Sequence, residues 1–148
     1  MIYIHGLFIF GNPVKKTDFE ALSEFRYQLR RFLRFSEDAA QAAGITPLQY
    51  QLLLQIKGFR GRNWAHIGEL AERLQAKHHG TVALISRCES AGLVTRRADP
   101  DDKRQVQVHL TGAGERILTR LAQRHRDELQ SLSDVFRVAR ITAFNDRD

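Results

Sequence analysis

Between Ile67 and Leu110 the hydrophobic period of the chain changes from helical to alternating, and few folds accommodate that order. Ile67, Leu70, Ala71 and Leu74 recur at helical spacing and mark a short helix. Val82, Ile85, Cys88 and Glu89, with Leu84 and Ala91 adding to the buried side, mark a second helix that Gly92 stops. Only Gln75 to His78 are left to join the two. Two short helices on so tight a joint predict a helix-turn-helix. After Gly92 the period becomes two. Leu93 to Arg97 suit a strand, Asp99, Pro100, Asp101 and Asp102 suit a turn, and Val106 and Val108 alternate with Gln105, Gln107 and His109. A hairpin with a charged tip, directly behind the second helix, is what a wing looks like in sequence. The predicted fold is mainly α with a small β-hairpin: a winged helix-turn-helix with helices on both flanks.

Those flanks can be read in the same way. Thr17 and Glu20 have capping-box spacing, and Leu22, Phe25, Leu29, Phe32, Leu33 and Ala40 then form a helical stripe. A long first helix over 18–43 follows, stopped by Gly44. Thr46, Pro47 and Gln49 predict a second helix start, with Leu48, Leu52, Leu53 and Ile56 on its apolar face and Gly58 at its end. Trp64, behind the basic connector of Lys57, Arg60, Gly61 and Arg62, is expected to anchor that segment in the core. Thr111 caps a last helical region with two stripes: Ile117, Leu118 and Leu121, then Leu129, Leu132, Val135, Phe136 and Val138. The polar stretch 123–128 between them predicts a bend or a break. The domain reading is an apolar arm at 1–16, a dimerisation helix at 17–45, the winged domain at 46–110 and C-terminal dimerisation helices at 111–148. Long apolar stripes at both ends predict an oligomer.

The arm Met1–Phe10 is apolar but far short of the ~20 residues needed to span a bilayer. Lys15 and Lys16 follow it rather than precede it, which is the wrong order for a secretory signal. Two readings stand for it: an arm packed on a partner subunit, or an extended translation start. The single cysteine, Cys88, forms no internal disulfide, consistent with a reducing cytoplasm. No phosphate loop, GxSxG elbow or HExxH motif is present, so no enzyme class is indicated. His66, His109 and His125 lack ligand spacing, and the adjacent His78 and His79 point apart on a helix, so neither a metal site nor a cofactor is expected.

The net charge is +6, which favours an anionic partner. From Lys57 to Arg104 there are ten Lys and Arg against six Asp and Glu. Arg96, Arg97, Lys103 and Arg104 all fall on the hairpin, where cations would neutralise phosphates and release counterions. In such folds the second helix enters the major groove and its N-terminal residues meet base edges. Here that segment is Lys77, His78, His79, Gly80 and Thr81, with Ala83 and Arg87 one and two turns on. Lys77 suits a phosphate, while His78, His79 and Thr81 carry hydrogen-bonding groups for bases. The rival reading is a winged adaptor that binds protein without specific DNA recognition, because fold alone does not fix function.

From about Thr46 to Leu118 the chain resembles the MarR family, the multiple antibiotic resistance regulators. The resemblance rests on Ile67-Gly68-Glu69-Leu70-Ala71, on Ala91-Gly92-Leu93-Val94, and above all on Asp99-Pro100-Asp101-Asp102-Lys103-Arg104 followed by Val106, Val108, Leu110 and Thr111. It implies a homodimeric transcriptional regulator, more often a repressor, in which two winged domains bind a pseudo-palindromic operator in double-stranded DNA. It also implies that Arg104 enters the minor groove, that Asp102 orients it, and that His78, His79, Thr81 and Val82 lie at recognition-helix positions. Members often respond to small aromatic ligands, expected here between helix 1, the second helix and the winged domain, or to thiol oxidation. Cys88 stands on the apolar face where the family commonly has leucine, so a buried structural thiol is expected. Gly80 replaces a serine usual after His-His, and the arm Met1–Phe10 lies outside the family pattern.

Overall fold

A computed structural model describes residues 2–4, 7–9 and 13–131. The chain divides into two compact units; one is Arg34–Glu128, and the other holds the described residues on either side of it. At the N-terminus, β1 (Ile2–Ile4) and β2 (Leu7–Ile9) pair antiparallel, with Ile2 opposite Ile9. The described residues 2–4 and 7–9 of the predicted apolar arm thus form a two-stranded antiparallel ladder. Helix α1 (Lys16–Ala42) begins earlier than its expected Thr17 cap, because Asp18 accepts a 2.8 Å hydrogen bond from the Lys15 backbone N–H. Thr17 lies inside the helix.

Helix α2 (Pro47–Lys57) is the element whose local chemistry is most complete. The Thr46 hydroxyl accepts from the Gln49 N–H at 3.1 Å, and the Gln49 side chain accepts from the Thr46 N–H at 2.9 Å. Pro47 occupies the first turn, where its missing N–H costs nothing. Leu52, Leu53 and Ile56 are buried along one face, as the spacing predicts, whereas Leu48 stays exposed.

The winged region follows as β3 (Trp64–His66), α3 (Ile67–Arg73), α4 (His78–Ser90), β4 (Val94–Ala98) and β5 (Val106–Leu110). The three strands form an antiparallel sheet in the order β3-β5-β4. Strand β3 is not legible in the sequence, because three residues become a strand only by pairing with β5, where Ala65 stands opposite Val108. That register also corrects the expectation for Trp64: Ala65 turns into the core and is fully buried, so Trp64 faces outward, half-buried. Gln75, at φ +51, carries the sharp turn between α3 and α4.

Helix α5 (Gly112–Ser131) runs unbroken through the polar stretch where a bend was expected. Its buried stripe is Leu118, Leu121 and His125, so a histidine continues the apolar face. The His125 ring stacks on Tyr50 with centroids 4.7 Å apart and meets Phe35 edge-on at 5.5 Å. The predicted second stripe at Leu132, Val135, Phe136 and Val138 lies outside the described residues. Thr111 caps α5 as expected, accepting from the Gly114 N–H at 3.0 Å while its hydroxyl donates to the Gly92 carbonyl at 2.6 Å.

The core of the Arg34–Glu128 unit gathers Leu52, Leu53, Ile56, Leu70, Ile85, Val94, Val108 and Leu121 with Cys88, all essentially inaccessible. Burial pushes the Cys88 thiol up to about 11, against a smaller opposing pull from the Arg87 charge. At pH 8 the native thiol is expected to react with a thiol-specific reagent roughly a hundredfold more slowly than the unfolded chain. Rapid native labelling, followed by absorbance, would show that the helix opens to solvent.

Candidate nucleic-acid interface

Helix α4 presents two faces set by its packing. Thr81, Leu84, Ile85 and Cys88 lie at i, i+3, i+4 and i+7 and turn inward. His78, His79, Gly80, Ala83 and Arg87 turn outward and are exposed, and Val82 is half-buried at the margin. Thr81 therefore departs from its expected role as a base contact. It is 1% exposed, and its hydroxyl donates back to the Lys77 carbonyl at 3.0 Å. Ala91 and Glu89, expected on the buried side, are exposed. Lys77 stands exposed at the N-cap, beside the free N–H groups of the first turn, an arrangement suited to a phosphate.

The hairpin tip is built from its two aspartates. Asp99 Oδ1 accepts the Asp101 N–H at 2.8 Å and the Asp102 N–H at 3.3 Å, which folds the turn. Asp102 Oδ1 then accepts the Arg104 N–H at 3.1 Å and Nε at 3.2 Å, with Nη2 3.4 Å from Oδ2. The expected pairing of Asp102 with Arg104 is thus present. The Arg104 side chain is nonetheless 91% exposed, so its charge points into solvent from a fixed base. Lys103 beside it is exposed as well.

The two strand arginines part company. Arg97 is exposed on the outward face of the sheet, opposite Gln107. Arg96 stands opposite Val108 and faces α4, where its guanidinium donates to the Ser86 hydroxyl and lies 3.7 Å from Glu89 Oε1. Its backbone N–H also donates to Glu89 Oε2 at 3.0 Å. Arg96 was expected on the phosphate-binding set; it holds β4 to the C-terminal half of α4 instead.

A network centred on His66 and Glu69, to which the sequence assigned no role in the wing, organises its other side. His66 caps α3, and its ring bridges Asp99 Oδ2 at 2.6 Å and Glu69 Oε1 at 2.8 Å. Glu69 also accepts the His66 N–H at 3.0 Å and pairs with Arg62, whose guanidinium lies between the Phe59 and Trp64 rings. Asp99 is held down at about 2, first by the His66 hydrogen bond and then by the turn N–H of Asp101, against an opposing cost of burial. His109 is shifted down by burial, with a further push from the charge of Arg97. Because the folded-state pKa of Asp99 lies below its ordinary value near 3.8, its contribution to stability is present above about pH 4. That contribution is lost as pH falls from there towards 2. Urea unfolding between pH 5 and 2 should show a decline that Asp99→Asn reduces; an unchanged acid profile in the variant would refute this role.

A cleft of about 430 Å³ opens between the end of α2 and α5, lined by Leu54, Gly58, Leu118 and Ala122, with the paired Lys57 and Glu115 and with Arg126 at its polar edge. It differs from the expected effector location in being bounded by α5 rather than by helix 1. Among the described residues no cluster of three His, Cys, Asp or Glu side chains could hold a metal ion, and no helix is long and apolar enough to cross a membrane.

A three-stranded sheet carrying an exposed cationic tip, packed behind a helix-turn-helix, defines a winged helix-turn-helix protein. Residues 43–105 match the model of the MarR family. The chain is 32% identical over 92 residues to the uncharacterized HTH-type transcriptional regulator YsmB of Bacillus subtilis, an alignment covering 58% of this chain and 63% of that one. It spans about three-fifths of the length of the curated relatives it matches. Among solved structures, a MarR family protein from Bacillus stearothermophilus superimposes with a TM-score of 0.71 at 24% identity, covering 82% of this chain and 83% of that one. A mutant MarR from E. coli complexed with operator DNA gives a TM-score of 0.61 at 22% identity, covering 80% and 85%.

Proposed function

We propose that the chain is a homodimeric, sequence-specific DNA-binding regulator of transcription, acting as a repressor that a small aromatic effector releases. The observation that carries the reading is the pairing of two exposed elements in one unit. The outward stripe of α4, from His78 and His79 to Arg87, is free of core contacts, and Arg104 is fixed at its base by Asp102 while its charge stays in solvent. A guanidinium aimed at a narrow minor groove gains from a fixed base of this kind. Lys77, Arg97 and Lys103 complete the cationic set for phosphates, and Arg96 and Thr81 leave it.

Dimerisation is supported by the exposed apolar residues of α1. Phe19, Leu22 and Leu33 lie at helical spacing and are 60%, 41% and 44% exposed, an apolar stripe that a second copy would cover. Effector release is supported by the apolar lining of the α2–α5 cleft, whose Lys57 is paired with Glu115 and whose polar edge is completed by Arg126.

A gel-shift titration against the DNA upstream of the chain's own gene, with random DNA as competitor, tests the reading. A specific shift is expected, with a footprint of two half-sites about one helical turn apart. Binding no tighter than to random DNA, there and in a genome-wide selection of bound fragments, would refute it.

A further inference from the structure

The N-terminal half of α4 carries a gap in its hydrogen-bonding surface. Opposite the buried stripe of Thr81, Leu84, Ile85 and Cys88, the midline of the outward face runs through His79 and, one turn on, Ala83. Ala83 is exposed and Val82 beside it is half-buried, so the second turn presents two apolar side chains and neither a donor nor an acceptor. Polar side chains stand on either side of the gap, with His78 and His79 before it and Arg87 after it. One turn further along the midline, the Ser86 hydroxyl is taken by the Arg96 guanidinium.

The edges that base pairs turn to the major groove are donors and acceptors, with one apolar exception, the C5-methyl group of thymine. A polar edge pressed against Ala83 would lose its water and gain no partner, which costs affinity. A thymine methyl in the same place is favoured, because burying it removes apolar surface from water. The side chain that favours thymine thus disfavours the other bases.

An alanine reaches only one carbon beyond the backbone, so this contact requires α4 to sit deep in the groove. Gly80, three residues before Ala83 and also exposed, permits that approach. Its φ is not positive, and a Cβ added there would meet nothing within 4 Å among the described residues. The fold itself therefore does not call for a glycine here, although glycine weakens a helix. A side chain missing from the outward surface lets the backbone approach a ligand closely.

We propose that Ala83 is a specificity-determining residue that reads a thymine methyl group in each half-site, and that Gly80 lets the helix approach closely enough to make the contact. The proposal rests on the DNA-binding reading above, and its test separates the two.

The full-length protein is titrated by fluorescence anisotropy on a duplex selected for tight binding, in which each thymine of one half-site is replaced in turn by deoxyuridine. Deoxyuridine pairs as thymine does and lacks only the methyl group. At one position the wild-type affinity should fall about fourfold, the worth of one buried carbon group. Ala83→Gly should bring that ratio close to one. His79→Ala should weaken binding to both duplexes alike and keep the ratio. Each ratio is measured on a single protein, so a less stable Ala83→Gly helix cancels from it. Gly80→Ala should lower the ratio while raising the melting temperature, a combination that damage to the fold does not produce.

A wild type that binds its selected duplex specifically but is indifferent to every deoxyuridine overturns the thymine contact and leaves the DNA-binding reading standing. An Ala83→Gly protein that keeps the full ratio does the same. An unchanged ratio in Gly80→Ala overturns the part given to Gly80. A wild type that binds no duplex more tightly than random DNA overturns the reading and the contact together.

Discussion

Gly114→Ala is expected to cost the folded protein about 3 kcal/mol, the upper end of what overpacking usually does. A Cβ at this position would lie 2.1 Å from the Leu93 carbonyl oxygen and 3.1 Å from its carbon. Both are backbone atoms at the entry to the wing, so no side chain can swing aside. The start of α5 is pinned there from both directions, by the Thr111 hydroxyl on the Gly92 carbonyl and by the Thr111 N–H on the Leu93 carbonyl at 3.0 Å. Relief requires the helix to back away and give up those bonds. At fixed protein concentration the melting temperature should fall by roughly 6–12 °C. Gly80→Ala is the matched control: nothing lies within 4 Å of its added carbon, and it sits in an exposed helix, where alanine is favoured over glycine by ~1 kcal/mol. The same substitution should thus destabilise at one site and stabilise at the other. A Gly114→Ala protein as stable as the wild type would show that α5 and the wing are not in close contact.

Arg104→Ala is expected to weaken DNA binding by at least ~1 kcal/mol while leaving thermal stability unchanged within ~0.5 kcal/mol. The separation follows from its position. The guanidinium is 91% exposed and touches only Asp102, so removing it opens no cavity and strands no buried partner. Arg104→Lys keeps the charge but not the fork that spans both Asp102 oxygens. It should retain the salt dependence of binding while losing part of the affinity. Fluorescence anisotropy on one labelled duplex measures both, and equal affinity of the wild type and Arg104→Ala would remove the wing tip from the mechanism.

The parts of this structure that were legible in the sequence are those whose cause is local. Thr46, Pro47 and Gln49 specify the start of α2 within four residues, and the turn from Asp99 to Asp102 specifies the wing tip in the same way. Two errors had a readable signal. Thr81 falls on the i, i+3, i+4, i+7 stripe with Leu84, Ile85 and Cys88, so the period alone turns it inward. Arg96 shares strand parity with the buried Val94, which turns it towards α4. The start of α1 was misplaced by competition between nearby residues, since Asp18 reaches the Lys15 N–H and takes the cap from Thr17.

What stayed illegible is non-local. Strand β3 exists only through its ladder with β5, more than forty residues on, and Trp64 owes its outward position to that register. The bridge from His66 to Asp99 joins positions 33 apart, and nothing in the spacing of either residue announces the other. His125 interrupts an apolar stripe in sequence yet continues it in space, because Tyr50 and Phe35 supply flat surfaces for its ring.

The most direct test of the central claim is the salt dependence of binding to a selected duplex, set against a scrambled duplex of the same length and composition. Affinity for the selected duplex is expected to be at least ~1,000-fold above that for the scrambled one near physiological salt. Log K should fall steeply and linearly with log salt, less steeply by about one phosphate in Arg104→Ala. Equal affinity for both duplexes, or binding that salt leaves unchanged, would contradict the claim.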